Sequence, residues 1–222
     1  GKKGGIVALD LKTGEKKWEH QTKELTHGSP AYLKSKGVVA IGSNDSVLYL
    51  YNARSGKLLW KFQTQGEIKA SPVFDEKRNL VLFGNFEGKL YAVDIATGRE
   101  KFSFQTGFGI YSTPAVYKDS IVVGSLDKRL YSVNLETGQL NWKFETGGRI
   151  FASPEIVDDK IYIGSNDGRL YEINPDTGDV TGFLQVTERI TNKIAHNKKT
   201  GKFFLPTFAN EIYCLTKKES GI

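Results

Sequence analysis

Tyr91-Ala92-Val93-Asp94-Ile95-Ala96-Thr97-Gly98 is the stretch that decides the fold, because the chain repeats it. Related phrases run from Val7 to Gly14, from Tyr49 to Gly56, from Tyr131 to Gly138 and from Tyr171 to Gly178, and a degenerate copy begins at Tyr213. The closing glycines Gly14, Gly56, Gly98, Gly138 and Gly178 are spaced by 42, 42, 40 and 40 residues. An apolar run ended by Asp-x-x-Thr-Gly reads as a strand and its turn. The aspartate can accept hydrogen bonds from the backbone just beyond it, and the glycine can take a positive φ.

Two further phrases keep the same period. One is Gly28-Ser29-Pro30, Ala70-Ser71-Pro72, Ser112-Thr113-Pro114 and Ala152-Ser153-Pro154. The other is Ile41-Gly42-Ser43, Phe83-Gly84-Asn85, Val123-Gly124-Ser125 and Ile163-Gly164-Ser165. Three phrases in fixed order at one period define a repeat architecture.

Within a repeat, strand-sized runs at 68–74, 80–84, 89–94 and 99–105 are separated by turn residues at 75–79, 87–88 and 97–98. No segment keeps a helical period. Four strands in about 40 residues, repeated, predict an all-β fold: a β-propeller of four-stranded antiparallel blades, occupying residues 1–222 as a single domain. Sheets covered on both faces explain continuous apolar runs such as Ile121-Val122-Val123 and Ile161-Tyr162-Ile163.

Residues 28–63, 68–105, 110–145 and 150–184 each supply four strands. Three more are expected near 190–195, 202–206 and 211–216, and an outermost strand near 15–21. Three plus one predicts a fifth blade shared by the two chain ends, which would close the ring and remove its open edges. The strand near 6–10 is then left over, as an extension or the stump of a longer parent. The rival is an incomplete piece of a larger ring.

Composition narrows the function. Hydrophobic residues at 39% and charged residues at 25% mark a folded chain rather than a disordered one. No apolar run approaches the roughly 20 residues of a membrane helix, and no signal-peptide pattern is seen. There is no Met, so the chain reads as processed or cut from a longer parent. The net charge of +6 is spread without a basic block, which argues against nucleic acid as a partner. Cys214, the sole cysteine, excludes an internal disulfide and reads as a small residue in a strand. His20, His27 and His196 lack metal-ligand spacing, so no metal site is expected.

Ala8-x-Asp10-x-x-x-Gly14-x-x-x-Trp18 resembles the tryptophan-docking motif of the pyrroloquinoline-quinone (PQQ)-like propeller repeats. Variants are Leu50, Asn52, Gly56 and Trp60; Ala92, Asp94, Gly98 and Phe102; and Ser132, Asn134, Gly138 and Trp142. The fifth departs, with Gly182 where the aromatic should be. The resemblance implies that each indole packs between blades against a turn glycine, a scaffold role. It covers quinone-dependent dehydrogenases as well as non-catalytic members such as the outer-membrane-protein assembly lipoprotein, and it implies an extracytoplasmic, periplasmic or secreted, location.

The dehydrogenases of that family use a quinone, calcium and often a vicinal disulfide. A lone cysteine and three tryptophans all at docking positions disfavour PQQ with calcium, so no cofactor is expected and the enzyme is the alternative reading. Asp45, Glu87, Asp127 and Asp167 recur between second and third strands and read as turn chemistry.

Function is sought where the repeat breaks. The positions entering each first strand are Leu25, Glu67, Gly109, Arg149 and Arg189; two residues on come His27, Lys69, Tyr111, Phe151 and Thr191. These should lie on one face near the ring axis. The candidate ligand-binding residues are therefore His27, Glu67, Lys69, Tyr111, Arg149, Phe151 and Arg189. The cations suit a carboxylate or phosphate and the aromatics a peptide or sugar ring. Phe86, Leu126 and Phe208, in the loops between second and third strands, are expected on the same face as an apolar partner surface. The sequence reads as a non-catalytic binding or scaffold module for a protein, a peptide or a small anionic ligand. A carbohydrate-binding propeller is a further alternative, weakened because matching aromatics do not recur.

Overall fold

The short Asp-x-x-Thr-Gly turns fold back as the sequence predicts. In the computed structural model, which describes residues 3–216, the turn glycines Gly14, Gly56, Gly98, Gly138 and Gly178 have φ of 68–80°. Each donates its N–H to the Asp or Asn four residues earlier, as from Gly98 to the Asp94 carbonyl at 2.9 Å. The Asp94 side chain accepts from the Thr97 amide and hydroxyl, both at 2.8 Å. These bonds hold the Asp94 carboxyl below its ordinary range, the Thr97 hydroxyl contributing most.

The described residues form only antiparallel sheets, in two compact units that meet in sequence at Gln105 and Thr106. The first unit holds a ribbon of β1 (Gly5–Leu9) and β2 (Lys16–Gln21). It also holds two four-stranded sheets: β3 (Ala31–Leu33), β4 (Val38–Gly42), β5 (Val47–Asn52) and β6 (Leu58–Gln63); then β7 (Val73–Asp75), β8 (Leu80–Gly84), β9 (Lys89–Asp94) and β10 (Glu100–Gln105). The second unit holds β11 (Ala115–Tyr117), β12 (Ser120–Gly124), β13 (Arg129–Asn134) and β14 (Leu140–Glu145) in one four-stranded sheet. Another contains β15 (Glu155–Val157), β16 (Lys160–Gly164), β17 (Arg169–Ile173) and β18 (Val180–Gln185). A three-stranded sheet of β19 (Ala195–Asn197), β20 (Lys202–Pro206) and β21 (Ile212–Thr216) follows.

This is the all-β propeller architecture read from the repeat, with two corrections. The strand expected to complete the last sheet, β2, pairs instead with β1, the segment read as left over: Ala8 faces Trp18 and Ile6 faces His20. A six-residue turn joins these strands, whereas pairing β2 with β21 would close a loop of most of the chain, at greater entropic cost. The first strand of each sheet is also shorter than expected: β7 begins at Val73, not Ile68. Pro72 has no N–H to give a ladder, and Ile68 donates its own to the Ser43 carbonyl of the preceding sheet at 3.0 Å.

Each unit has a core between stacked sheets. In the first, Ala40, Leu48, Leu50, Ile68, Val81, Phe83 and Val93 are fully buried in one cluster. In the second, Val122, Leu130, Ile150, Ile161, Ile163 and Ile173 are their counterparts. The docking tryptophans seal the outer part of these stacks. Trp60 donates from Nε1 to the Ile95 carbonyl at 2.8 Å, and a Cβ added to Gly98 would lie 2.9 Å from its indole. Trp18 on Gly56 and Trp142 on Gly178 repeat the arrangement, with Nε1 bonds of 3.0 and 2.9 Å to Ala53 and Pro175.

Where the aromatic is missing, at Gly182, the facing residue is Glu172 rather than a small or apolar one. Its buried carboxylate accepts from the Tyr162 hydroxyl at 2.9 Å and the Thr181 hydroxyl at 2.7 Å. Burial first, then that carboxylate, pushes the Tyr162 phenol up.

The glycine of the third phrase has a packing reason as well. A Cβ on Gly42 would sit 2.2 Å from Ile68 Cγ2, and on Gly164 2.1 Å from Ile190 Cγ2. No helix among the described residues is long and apolar enough to cross a membrane.

Candidate functional site

The loop face is built on one backbone frame used five times. The first N–H after each Gly-Ser-like pair donates to the carbonyl of the residue entering the first strand: Asn44 to Leu25, Phe86 to Glu67, Leu126 to Gly109, Asn166 to Arg149 and Phe208 to Arg189, at 2.8–3.0 Å. The entering position and the loop between second and third strands therefore lie side by side in each sheet, as the repeat predicts. A threonine at the start of the entering loop fastens it: Thr64, Thr106 and Thr146 each donate a hydroxyl to the carbonyl two residues on, at 2.7 Å.

The recurring aspartates belong to this frame. Asp167 accepts from the Gly147 amide and the Tyr171 hydroxyl, both at 2.7 Å, and from the Arg169 amide at 3.0 Å. Asp127 does the same with Gly107, Tyr131 and Arg129. Asp45 takes Lys23, Tyr49 and Val47. Burial and then the aspartate hydrogen bond raise the Tyr171 and Tyr131 phenols. Carboxylates committed to amides and phenols, and indoles committed to turn glycines, do not fit a calcium-quinone site.

In the first unit the predicted residues are largely satisfied by one another. Lys69 Nζ lies 2.6 Å from Glu67 Oε2 and 4.3 Å from the centre of the Phe86 ring. The Lys69 side chain is 19% exposed and that of Glu67 42%. His27 is exposed.

The second unit differs. Tyr111 and Phe151, both half-buried, place their rings 5.6 Å apart at 57°. Arg189 is exposed and stacks over Phe208 at 4.2 Å. Arg149 is exposed, and among the described residues neither guanidinium has a carboxylate partner. Tyr111, Phe151 and Arg189 line a cavity of about 350 Å³ with Asn166, Thr191, Asn192 and Phe208. Asn166 Oδ1 is itself sealed from solvent and accepts no hydrogen bond among the described residues. Asn44 Oδ1, at the same register, is also buried and unbonded, so the loop geometry itself makes this acceptor.

The sequence reading found Tyr111, Phe151 and Arg189 but missed Asn166 and Asn192. Asn166 was findable, because it shares the non-repeating register of Phe86, Leu126 and Phe208. Of those three, Phe208 is 57% exposed but Leu126 only 5%. Leu126 belongs to the core, not to a partner surface.

The family model described as "Beta-alanine-activating enzyme, beta-propeller" matches residues 2–221. The chain belongs to this β-propeller family.

Solved structures agree on the fold. BamB from Moraxella catarrhalis superposes with a TM-score of 0.81 at 17% identity, over 98% of this chain and 71% of the other. The computationally designed Ika8 protein does so with a TM-score of 0.79 at 19% identity, over 99% and 70%. The resemblance to PQQ-like repeats agrees with both findings. A search of the curated proteins returned no match.

Proposed function

We propose that this propeller is a non-catalytic binding module, and that the loop face of its second unit recognises a protein, a peptide or a small anionic ligand. The observation that carries the reading is the cavity lined by Arg189, the Tyr111–Phe151 aromatic pair and the asparagines Asn166 and Asn192. Ligand sites are characteristically concave and apolar with a few convergent polar groups. The family name refers to an enzyme, yet the repeated acids and tryptophans of this chain are occupied by its scaffold. The cavity lining is cationic, aromatic and amide, a set suited to recognition.

Calorimetric titration with an acidic peptide, acetyl-Gly-Asp-Phe-Glu-Ala-amide, and separately with inorganic phosphate, tests the proposal. Saturable binding of either probe is expected, weakening with salt and abolished by combining Tyr111→Ala, Arg149→Ala and Arg189→Ala. Undiminished binding by the triple variant, or no binding of either probe, would remove the site.

A further inference from the structure

Resting on that reading, we infer that the second-unit cavity takes a small monoanion whose carboxylate is carried on an aromatic ring. The lining divides by chemistry. Among the described residues that line it, Arg189 is the only charged one, and Thr191 and Asn192 beside it are neutral. Arg189 also lacks an acidic partner among the described residues. One face of its guanidinium lies over the Phe208 ring at 4.2 Å, which leaves the in-plane N–H groups to meet a carboxylate. One cation matches one negative charge, which favours a carboxylate over a phosphate dianion.

Much of the remaining wall is aromatic. Tyr111 and Phe151, both half-buried, hold their rings 5.6 Å apart at 57°. Aromatic rings pair preferentially in offset or edge-to-face arrangements, so a third ring adds well to such a pair. An inorganic anion or a short aliphatic acid leaves both rings uncovered. The volume of about 350 Å³ sits at the small end of ligand pockets, which suits a single ring with a short acidic arm.

The repeat shows that this wall is particular to its place. At the register of Tyr111 and Phe151 the other sheets carry His27, Lys69 and Thr191. The first unit covers its ring, Phe86, with Lys69, whose charge Glu67 already neutralises at 2.6 Å. Arg149 enters the preceding sheet and does not line the cavity. Its exposed charge acts on the ligand only through salt-screened solvent.

The test is a two-dimensional NMR titration of the whole chain with three probes. These are 3-phenylpropionate, 3-phenylpropionamide, which lacks the charge, and propionate, which lacks the ring. On the unaltered chain 3-phenylpropionate should bind about tenfold or more tightly than either of the others, with shifts at Tyr111, Phe151 and Arg189. Arg189→Ala should remove its advantage over the amide. The double variant Tyr111→Leu, Phe151→Leu keeps an apolar wall; it should remove most of the advantage over propionate and keep that over the amide. Arg149→Ala should change the affinity less than about threefold. Melting curves report whether each variant folds, and the comparison of probes on the unaltered chain stands without them.

Equal binding of 3-phenylpropionate and its amide, or of 3-phenylpropionate and propionate, would overturn the inference. So would a folded double variant that keeps both preferences. Binding of the acidic peptide with no response to 3-phenylpropionate would leave the loop-face site standing and discard its choice of an aromatic monoanion. No shifts at Tyr111, Phe151 or Arg189 with any probe, the peptide included, would discard both.

Discussion

The two loops that enter β7 and β19 share a backbone and differ in what they leave undone. In the first, Lys69 is paired to Glu67 at 2.6 Å and covers Phe86 at 4.3 Å. In the second, Arg189 covers Phe208 at 4.2 Å in the same way but has no acid beside it among the described residues. The carbonyl bonds from Phe86 to Glu67 and from Phe208 to Arg189 are 2.8 and 3.0 Å, so the frame is held in common. A further difference lies beneath. Val186 stands where Thr64, Thr106 and Thr146 fasten their loops, and the buried Thr207 hydroxyl nearby accepts and donates nothing among the described residues. Repetition thus sets where a side chain is presented, while single substitutions decide whether its charge is already spent.

The largest effect is expected from breaking what the loops share. Gly42→Val and Gly164→Val both drive a side chain into an isoleucine less than 3 Å away, and each should cost about 3 kcal/mol or more of stability in a denaturant melt. Gly182→Ala has only a contact at 3.9 Å and should be tolerated. Equal tolerance at all three positions would show that the frame is not what positions the loops.

Next come the tryptophans, which tie neighbouring sheets within each unit. Trp60→Ala and Trp142→Ala each lose an indole packed on a glycine and an Nε1 bond of 2.8–2.9 Å. Because both side chains are partly exposed, a loss near the lower end of large-to-small substitutions, about 3 kcal/mol, is expected. A calorimetric scan would record it in both variants; a loss in one alone would mean the docking is not equivalent.

The comparison itself is sharpened by charge. Arg189→Ala should lower affinity for an acidic peptide about tenfold, near 1.4 kcal/mol, whereas Lys69→Ala should leave it within about twofold, because the Lys69 charge is already neutralised by Glu67 at 2.6 Å. The smallest expected effect is a gain. Val186→Thr should offer the Glu188 carbonyl a donor and Thr207 a partner, raising stability by about 1 kcal/mol. An unchanged midpoint would indicate that Thr207 is satisfied another way.

Much of this was legible in the sequence. The turns were readable because Asp94 and Gly98 perform local chemistry, and the docking was readable because Trp60 and Gly98 recur in step. The short first strands were harder: Pro72 was in view, but the Ile68 amide goes to a different sheet, and hydrophobicity carries no trace of that choice. The pairing of β1 with β2 was hidden because the need to cover open edges and the six-residue turn between Leu9 and Lys16 point to different partners for β2. Lys69 and Arg189 looked alike as cations, since sequence shows charge and not whether it is already paired. Asn166 shares the register of Phe86, Leu126 and Phe208, but an amide there also reads as ordinary turn chemistry, and its place in the cavity lining shows only in the structure.

The central claim is that one frame presents a spent charge in the first unit and an available one in the second. A site-resolved NMR titration of the chain with the acidic peptide tests it most directly. The account predicts saturable shifts at Tyr111, Phe151, Asn166, Arg189 and Phe208, with Glu67, Lys69 and Phe86 unmoved. Shifts centred on Lys69 and Phe86, or none at Arg189, would contradict it.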